Sequence, residues 1–437
     1  MLRVHRREAL KEMLDKLKKL IIYRGVANQP LVKHATGILY ELLKENPSID
    51  VIYSLYGNFY SEIMEYAIQN RVSRNIWSKI LTEYIAYDEN VFSLASEIYG
   101  ISAIGDPLAR AVSQEINVLR SLSRIDIVRI AKELADIDLP AHEGCFEELP
   151  KQRSSVNKML ALAKLWDLED EGKIVEYLSD YYRLNGCGIF GKYTAFRWIA
   201  EGVRGHLEGI SNVDPVTFDD LIGYEEERKI IIDNTKAFLK GLPASNVLLY
   251  GERGTGKSST VKALLNEFSS QGLRMVEVSL NDVMYLSDII NYVKNRGLKF
   301  ILFFDDLSFD ETEMRYKEFK SILEGGIEIL PPNVIIYATS NRRHIVKELT
   351  SDNELNNRDT KEEKLSLADR FGITVTFTTP DQKKYLDIVR GLAQRYCIDM
   401  DWNILREEAL RWAMWHNGRS PRSARQFIDY MRYKLAQ

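Results

Sequence analysis

Residues 246–259 read NVLLYGERGTGKSS, and this stretch decides the fold. Val247, Leu248, Leu249 and Tyr250 form a short strand-like run that stops at Gly251. From there Gly251, Gly256, Lys257 and Ser258 satisfy the GxxxxGK[ST] spacing of a phosphate-binding loop. Glycines at 251, 254 and 256 let successive backbone N–H groups turn inward toward phosphate oxygens. In that geometry Lys257 faces the β- and γ-phosphates and the Ser258 hydroxyl is offered to Mg²⁺. The apolar spacing of Val261, Leu264, Leu265 and Phe268 predicts a helix directly afterwards, with its positive end toward the anion. The cofactor-binding residues expected here are Gly251, Glu252, Arg253, Gly254, Thr255, Gly256, Lys257, Ser258 and Ser259.

At 437 residues the chain has room for two or three domains. Its composition, 45% hydrophobic and 28% charged, is that of a folded globular protein, and a net charge of −4 selects neither nucleic acid nor membrane as partner. Cys145, Cys187 and Cys397 are far apart and show neither disulfide-framework nor zinc spacing. A reducing, cytoplasmic setting is the expectation, and no run approaches the 18 apolar residues of a membrane span.

Upstream, residues 1–208 read as helix after helix. Ile52, Leu55, Tyr56, Phe59, Tyr60, Ile63, Met64 and Ala67 mark one helical face, and their aromatics lie at core spacing rather than among lysines and arginines. A polar run at 209–214, followed by Pro215, marks a boundary. Beyond it strands are predicted at 247–250, 275–279, 300–304, 334–339 and 374–378, alternating with helices as in a parallel sheet covered on both faces. A helical piece runs from 380 to 437.

Three strand ends carry chemistry. FILFFDD (300–306) is a buried strand, expected beside the strand of the phosphate loop, ending in two carboxylates. Asp305 suits the Mg²⁺ shell and Asp306 the attacking water, although paired Asp residues also cap helices. IIYATSN (335–341) ends in Asn341, which a parallel sheet would point at the γ-phosphate region. LSLADRFG (365–372) supplies Arg370, which can neutralise charge on a transferred phosphoryl group, usually in a neighbouring subunit. Finally GRSPRSARQF (418–427) places Arg422 and Arg425 one turn apart at a helix start, either within reach of a nucleotide; Arg422 is preferred.

These segments resemble the AAA+ class of P-loop ATPases over about residues 214–437. GERGTGKS resembles Walker A, FILFFDD Walker B, ATSN sensor 1, the arginine of ADRFG the arginine finger and SPRSARQF sensor 2. LIGYEEER (221–228) resembles the segment that walls the adenine, through Ile222 and Gly223. With AFRW at 195–198, these stretches are similar to a bacterial family of AAA+ proteins catalogued as a domain of unknown function. The resemblance implies an α/β P-loop (AAA+) module with a parallel five-stranded sheet (209–379) and a C-terminal helical lid (380–437), and the helical spacing upstream adds an all-α N-terminal domain (1–208). It further implies ATP and Mg²⁺ as cofactors, homo-oligomerisation, and hydrolysis coupled to remodelling a protein or nucleic-acid partner. The alternatives are a slow switch or loader for a nucleic-acid enzyme and, less in keeping with Asn341 and Arg370, a small-molecule kinase. Asp306 departs from the glutamate usual in the class, which leaves room for slow hydrolysis. Only Met284 and Tyr285 could form a threading pore loop, and the charged segment 350–364 reads as a mobile loop.

Overall fold

The computed structural model describes residues 2–146, 162–202, 204–310, 319–323, 329–341, 346–347, 370–416 and 418–435. The segment 350–364 lies outside them. The chain divides into two compact units, Met1–Lys192 and Tyr193–Gln437.

Among the described residues the first unit has no strand. Its helices are α1 (Leu2–Leu17), α2 (Arg24–Ala27), α3 (Pro30–Leu42), α4 (Ile49–Asn70), α5 (Ile76–Tyr87), α6 (Val91–Tyr99), α7 (Asp106–Ser123), α8 (Ile127–Ala135), α9 (Glu171–Asn185) and α10 (Gly188–Lys192). Side chains of short polar residues start several of them: Asn90 closes a capping box on α6, and Asp126 and Asp170 accept first-turn N–H groups of α8 and α9. The stripe read from the sequence is the buried face of α4, through Ile52, Tyr56, Phe59, Ile63 and Ala67. Its aromatics are core: Phe59 meets Trp77 edge-on at 5.4 Å, and the Trp77 indole N–H donates to the Leu122 carbonyl at 2.9 Å.

The second unit is built on a seven-stranded sheet. Its strands are β1 (Ala195–Glu201), β2 (Arg204–Gly209), β3 (Val247–Gly251), β4 (Leu273–Glu277), β5 (Lys299–Phe304), β6 (Val334–Ser340) and β7 (Ile373–Phe377), in the order β2-β1-β4-β5-β6-β3-β7. All neighbours are parallel except β1 and β2. The five expected strands are present with ends shifted by no more than two residues, but three expectations need correction. The sheet has seven strands instead of five, and the all-α region ends at Lys192 instead of residue 208, because β1 and β2 form a hairpin that joins the sheet beside β4. In addition, β5 is not adjacent to β3; β6 lies between them.

Helices α11 (Glu225–Leu239), α12 (Lys257–Phe268) and α13 (Leu286–Val293) connect the strands, and α14 (Gln382–Arg395), α15 (Trp402–Trp415) and α16 (Pro421–Leu435) follow the last one. Strands β3, β5 and β6 are nearly solvent-free, as runs buried on both faces must be. Tyr285 is tied down: its hydroxyl donates to the Gly202 carbonyl at 3.1 Å and its ring lies 6.1 Å from Trp198. Met284 alone of the pair stands free in solvent.

Candidate nucleotide site

β3 delivers the chain to a bend that only a residue without a Cβ can make. Gly251 has φ 140°, and a Cβ there would lie 2.0 Å from the Phe377 carbonyl oxygen on β7. Gly251→Ala should therefore separate β3 from β7 and destabilise the unit by about 3 kcal/mol or more; urea titration would register this, and an unchanged midpoint would contradict it. Gly256, at φ 94°, then caps α12, which starts at Lys257 and buries Val261, Leu264, Leu265 and Phe268.

Lys257 is only 6% exposed. Its ammonium donates to the carbonyls of Gly251 (2.7 Å) and Glu252 (2.8 Å) and to Asn341 Oδ1 (3.1 Å). Burial pulls its pKa below the usual lysine range, against the opposing pull of Asp306, Asp305 and Glu252. Beside it, Ser258 Oγ donates to Asp305 Oδ1 at 2.5 Å and Thr339 Oγ1 donates to the same oxygen at 2.6 Å. Asn341 Nδ2 donates to Asp306 Oδ1 at 2.5 Å. Asp306 has φ 54°, a left-handed conformation costing on the order of 1 kcal/mol for a residue with a Cβ. Its N–H is satisfied by Thr339 Oγ1 at 2.9 Å.

These groups surround one cavity of about 890 Å³ at the carboxyl ends of β3, β5 and β6, where ligands of open α/β sheets bind. Of the residues expected from the sequence, Ile222, Arg253, Gly254, Thr255, Gly256, Lys257, Ser258, Ser259, Asp305, Asp306, Asn341 and Arg422 line it. Arg422 arrives on the first turn of α16, whose Arg422 N–H donates to the Gly254 carbonyl at 3.1 Å, so this helix start sits on the phosphate loop itself. Ile388 and Leu392 of α14 face Ile222 across the apolar end.

Three expected residues stand behind the wall. Gly251 and Glu252 contribute carbonyls to Lys257, and the Gly223 N–H is held by Glu225 Oε1 at 2.7 Å. Arg370 is not among the lining residues: it precedes β7, whereas the cavity lies beyond the other end of that strand.

Sequence reading passed over Thr339, Tyr224 and Arg228. Tyr224 stacks on Phe377 at 5.3 Å and donates to the Thr378 carbonyl at 2.5 Å; burial pushes its pKa up to about 12. Arg228 lines the cavity at 7% exposure, bonded to Glu225 at 3.3 Å, and burial lowers its pKa. It belongs to LIGYEEER (221–228), read as the segment that walls the adenine, but within that segment only Ile222 and Gly223 are expected at the site.

The donor set fits a hard divalent cation. Ser258 and Asp305 offer only oxygen ligands, already within hydrogen-bond distance of each other, as Mg²⁺ prefers. Among the described residues no separate cluster of His, Cys, Asp and Glu could hold a metal ion, and no helix is long and apolar enough to cross a membrane.

Residues 191–435 match the family described as "Protein of unknown function (DUF815)". Among curated proteins, the replication factor C large subunits of Aeropyrum pernix (35% identity over 77 residues, 17% of this chain) and Staphylothermus marinus (33% over 90 residues, 20% of this chain) are similar. The chain spans only 15% and 21% of those relatives' lengths. Similar solved structures include the RuvB Holliday junction branch migration motor of Thermotoga maritima (16% identity, 50% of this chain and 72% of that one, TM-score 0.31). AMPPCP-bound DnaA from Aquifex aeolicus is another (21% identity, 51% and 67%, TM-score 0.37).

Proposed function

The chain belongs to the DUF815 family, and we propose that it is a Mg²⁺-dependent AAA+ ATPase, cytoplasmic and oligomeric, that couples hydrolysis to remodelling a protein or nucleic-acid partner chosen by the helical unit 1–192. One observation carries the reading: a single cavity collects the phosphate loop, both acids, Asn341 and Arg422.

Each group has work suited to its place. Backbone N–H groups of 253–257 and the Lys257 ammonium bind the β- and γ-phosphates. Ser258 and Asp305 would hold Mg²⁺, which neutralises charge on the phosphate oxygens when bound. Asp306 orients the attacking water and accepts its proton at a carboxylate oxygen, while Asn341, hydrogen-bonded to both Asp306 and Lys257, keeps that carboxylate in register with the γ-phosphate end. Arg422 adds positive charge from α16, and the segment of Ile222 and Gly223 packs against the base with Ile388 and Leu392.

Asp306→Asn tests this assignment. The variant should bind ATP with Mg²⁺ as the parent does, while turnover falls by about 10²-fold through loss of the general base. Equal turnover in parent and variant would remove Asp306 from the mechanism.

A slow switch or loader for a nucleic-acid enzyme is the second reading. It is favoured by the short acid at 306 and by its direct bond to Asn341, which must loosen before a water can be engaged. Turnover stimulated by nucleic acid and declining steeply with salt would select it over a protein remodeller.

A further inference from the structure

Because β6 lies between β5 and β3, the carboxylate Asp305 and the hydroxyl Ser258 reach each other across the end of an intervening strand. The register fixes which residue that strand supplies. Phe304 is paired with Ala338 and Leu249 with Thr339, so the residue after Phe304 comes to lie beside Thr339.

Thr339 is 1% exposed and bonds to three successive residues of the 305–307 bend. Its hydroxyl donates to Asp305 Oδ1, the hydroxyl oxygen itself accepts the Asp306 N–H, and its carbonyl accepts the Leu307 N–H at 2.7 Å. The two hydroxyls from Ser258 and Thr339 converge on Oδ1. Oδ2 of Asp305 is left without a hydrogen bond among the described residues.

We propose that Thr339 is the positioning residue for both acids of this site: one hydroxyl aims Asp305 at the metal position and holds Asp306 in the left-handed turn that presents its carboxylate to the water. This rests on the ATPase reading above. A carboxylate that accepts from two hydroxyls at one oxygen cannot rotate about its Cβ–Cγ bond without breaking both contacts, so its other oxygen stays directed. Ser258 alone cannot supply that constraint, because its oxygen is itself a ligand for the cation. Thr339 stands outside that shell and keeps Asp305 in place whatever Ser258 does. The same hydroxyl couples the acids: any shift of Thr339 moves the Asp305 carboxylate and the Asp306 backbone together.

A threonine buried for packing alone would accept replacement by valine without loss of metal or nucleotide binding. The experiment compares Thr339→Val, which keeps shape and carbonyl but deletes the hydroxyl, with Thr339→Ser, which keeps the hydroxyl. The first readout is binding of fluorescent mant-ATP to the full-length chain as Mg²⁺ is titrated, and the second is steady-state turnover. In Thr339→Val the Mg²⁺ concentration for half-maximal effect should rise by about 10–100-fold, as when groups behind a metal's direct ligands are removed. Metal-free nucleotide binding should stay within about threefold, turnover should fall by a similar 10–100-fold, and Thr339→Ser should restore both. A Thr339→Val protein that matches the parent in its Mg²⁺ titration overturns the inference, as does a Thr339→Ser protein as defective as the valine variant. Failure of the parent to bind mant-ATP sinks the ATPase reading and this inference together, whereas parent binding with an indifferent valine variant sinks only the role of Thr339.

Discussion

Lys257→Ala should leave a folded protein whose ATP affinity and turnover both collapse. The ammonium is buried at the head of α12, held by two loop carbonyls and Asn341, so its charge acts in a site poor in water. At an effective dielectric near 20, a unit charge about 4 Å from a phosphate oxygen is worth roughly 4 kcal/mol. Truncating one member of a buried charge pair typically costs about 2–5 kcal/mol. That predicts an affinity loss approaching 10³-fold, and kcat/KM should fall further because the same charge stabilises the departing phosphate. Isothermal titration with ATP and a coupled phosphate assay measure the two effects. The fold should survive, since alanine keeps the helical propensity at this first position of α12 and the stripe from Val261 to Phe268 is untouched. ATP affinity within a few-fold of the parent would mean that the 251–258 bend does not hold the triphosphate.

The parts of this unit that could be read from the sequence are those whose signal is local. Strands β3, β5 and β6 are short apolar runs ending in glycine or polar residues, and the phosphate loop carries its own spacing. The β1–β2 hairpin carries the opposite signal. Glycines are poor strand residues, yet Gly205 and Gly209 are in β2 because a Cβ would meet the Trp198 ring at 2.5 Å and the Tyr193 ring at 2.0 Å. The aromatic rings occupy the space that strand side chains would fill, so period and propensity both point away from a strand.

Strand order was the other blind spot. Periodicity identifies a strand but says nothing about which strand lies beside it. The expectation that Asp305 sits on the neighbour of β3 therefore left out β6, a strand correctly expected but not expected between them, and with that order the place of Thr339. Within IIYATSN a threonine reads as one more β-branched strand residue; only the pairing of Phe304 with Ala338 turns it toward both acids. Arg228 stands in the segment read as walling the adenine, but its burial follows from tertiary packing, which no local pattern reports.

On the ATPase reading, Arg370→Ala should abolish turnover while leaving ATP binding intact, and the sheet is consistent with a loss felt in another copy of the chain. β3 and β7 are parallel and paired from Val247 with Ile373 to Gly251 with Phe377. The phosphate loop leaves the carboxyl end of β3, whereas Arg370 precedes the amino end of β7. At about 3.3 Å per residue the strand alone separates them by roughly 16 Å, farther than an extended arginine side chain reaches. Arg370 is exposed at that far end, so in the proposed finger role it would serve the cavity of a neighbouring protomer. Fingers of this kind are worth about 10³ to 10⁵ in rate. Mixing separates the finger role from a folding defect: Lys257→Ala copies carry an intact Arg370 and Arg370→Ala copies an intact loop. Each variant alone should be inactive, and the mixture should regain activity as total protein concentration rises. Parent activity per mole that is constant on dilution, together with no recovery on mixing, would remove Arg370 from the active site and leave it a surface residue.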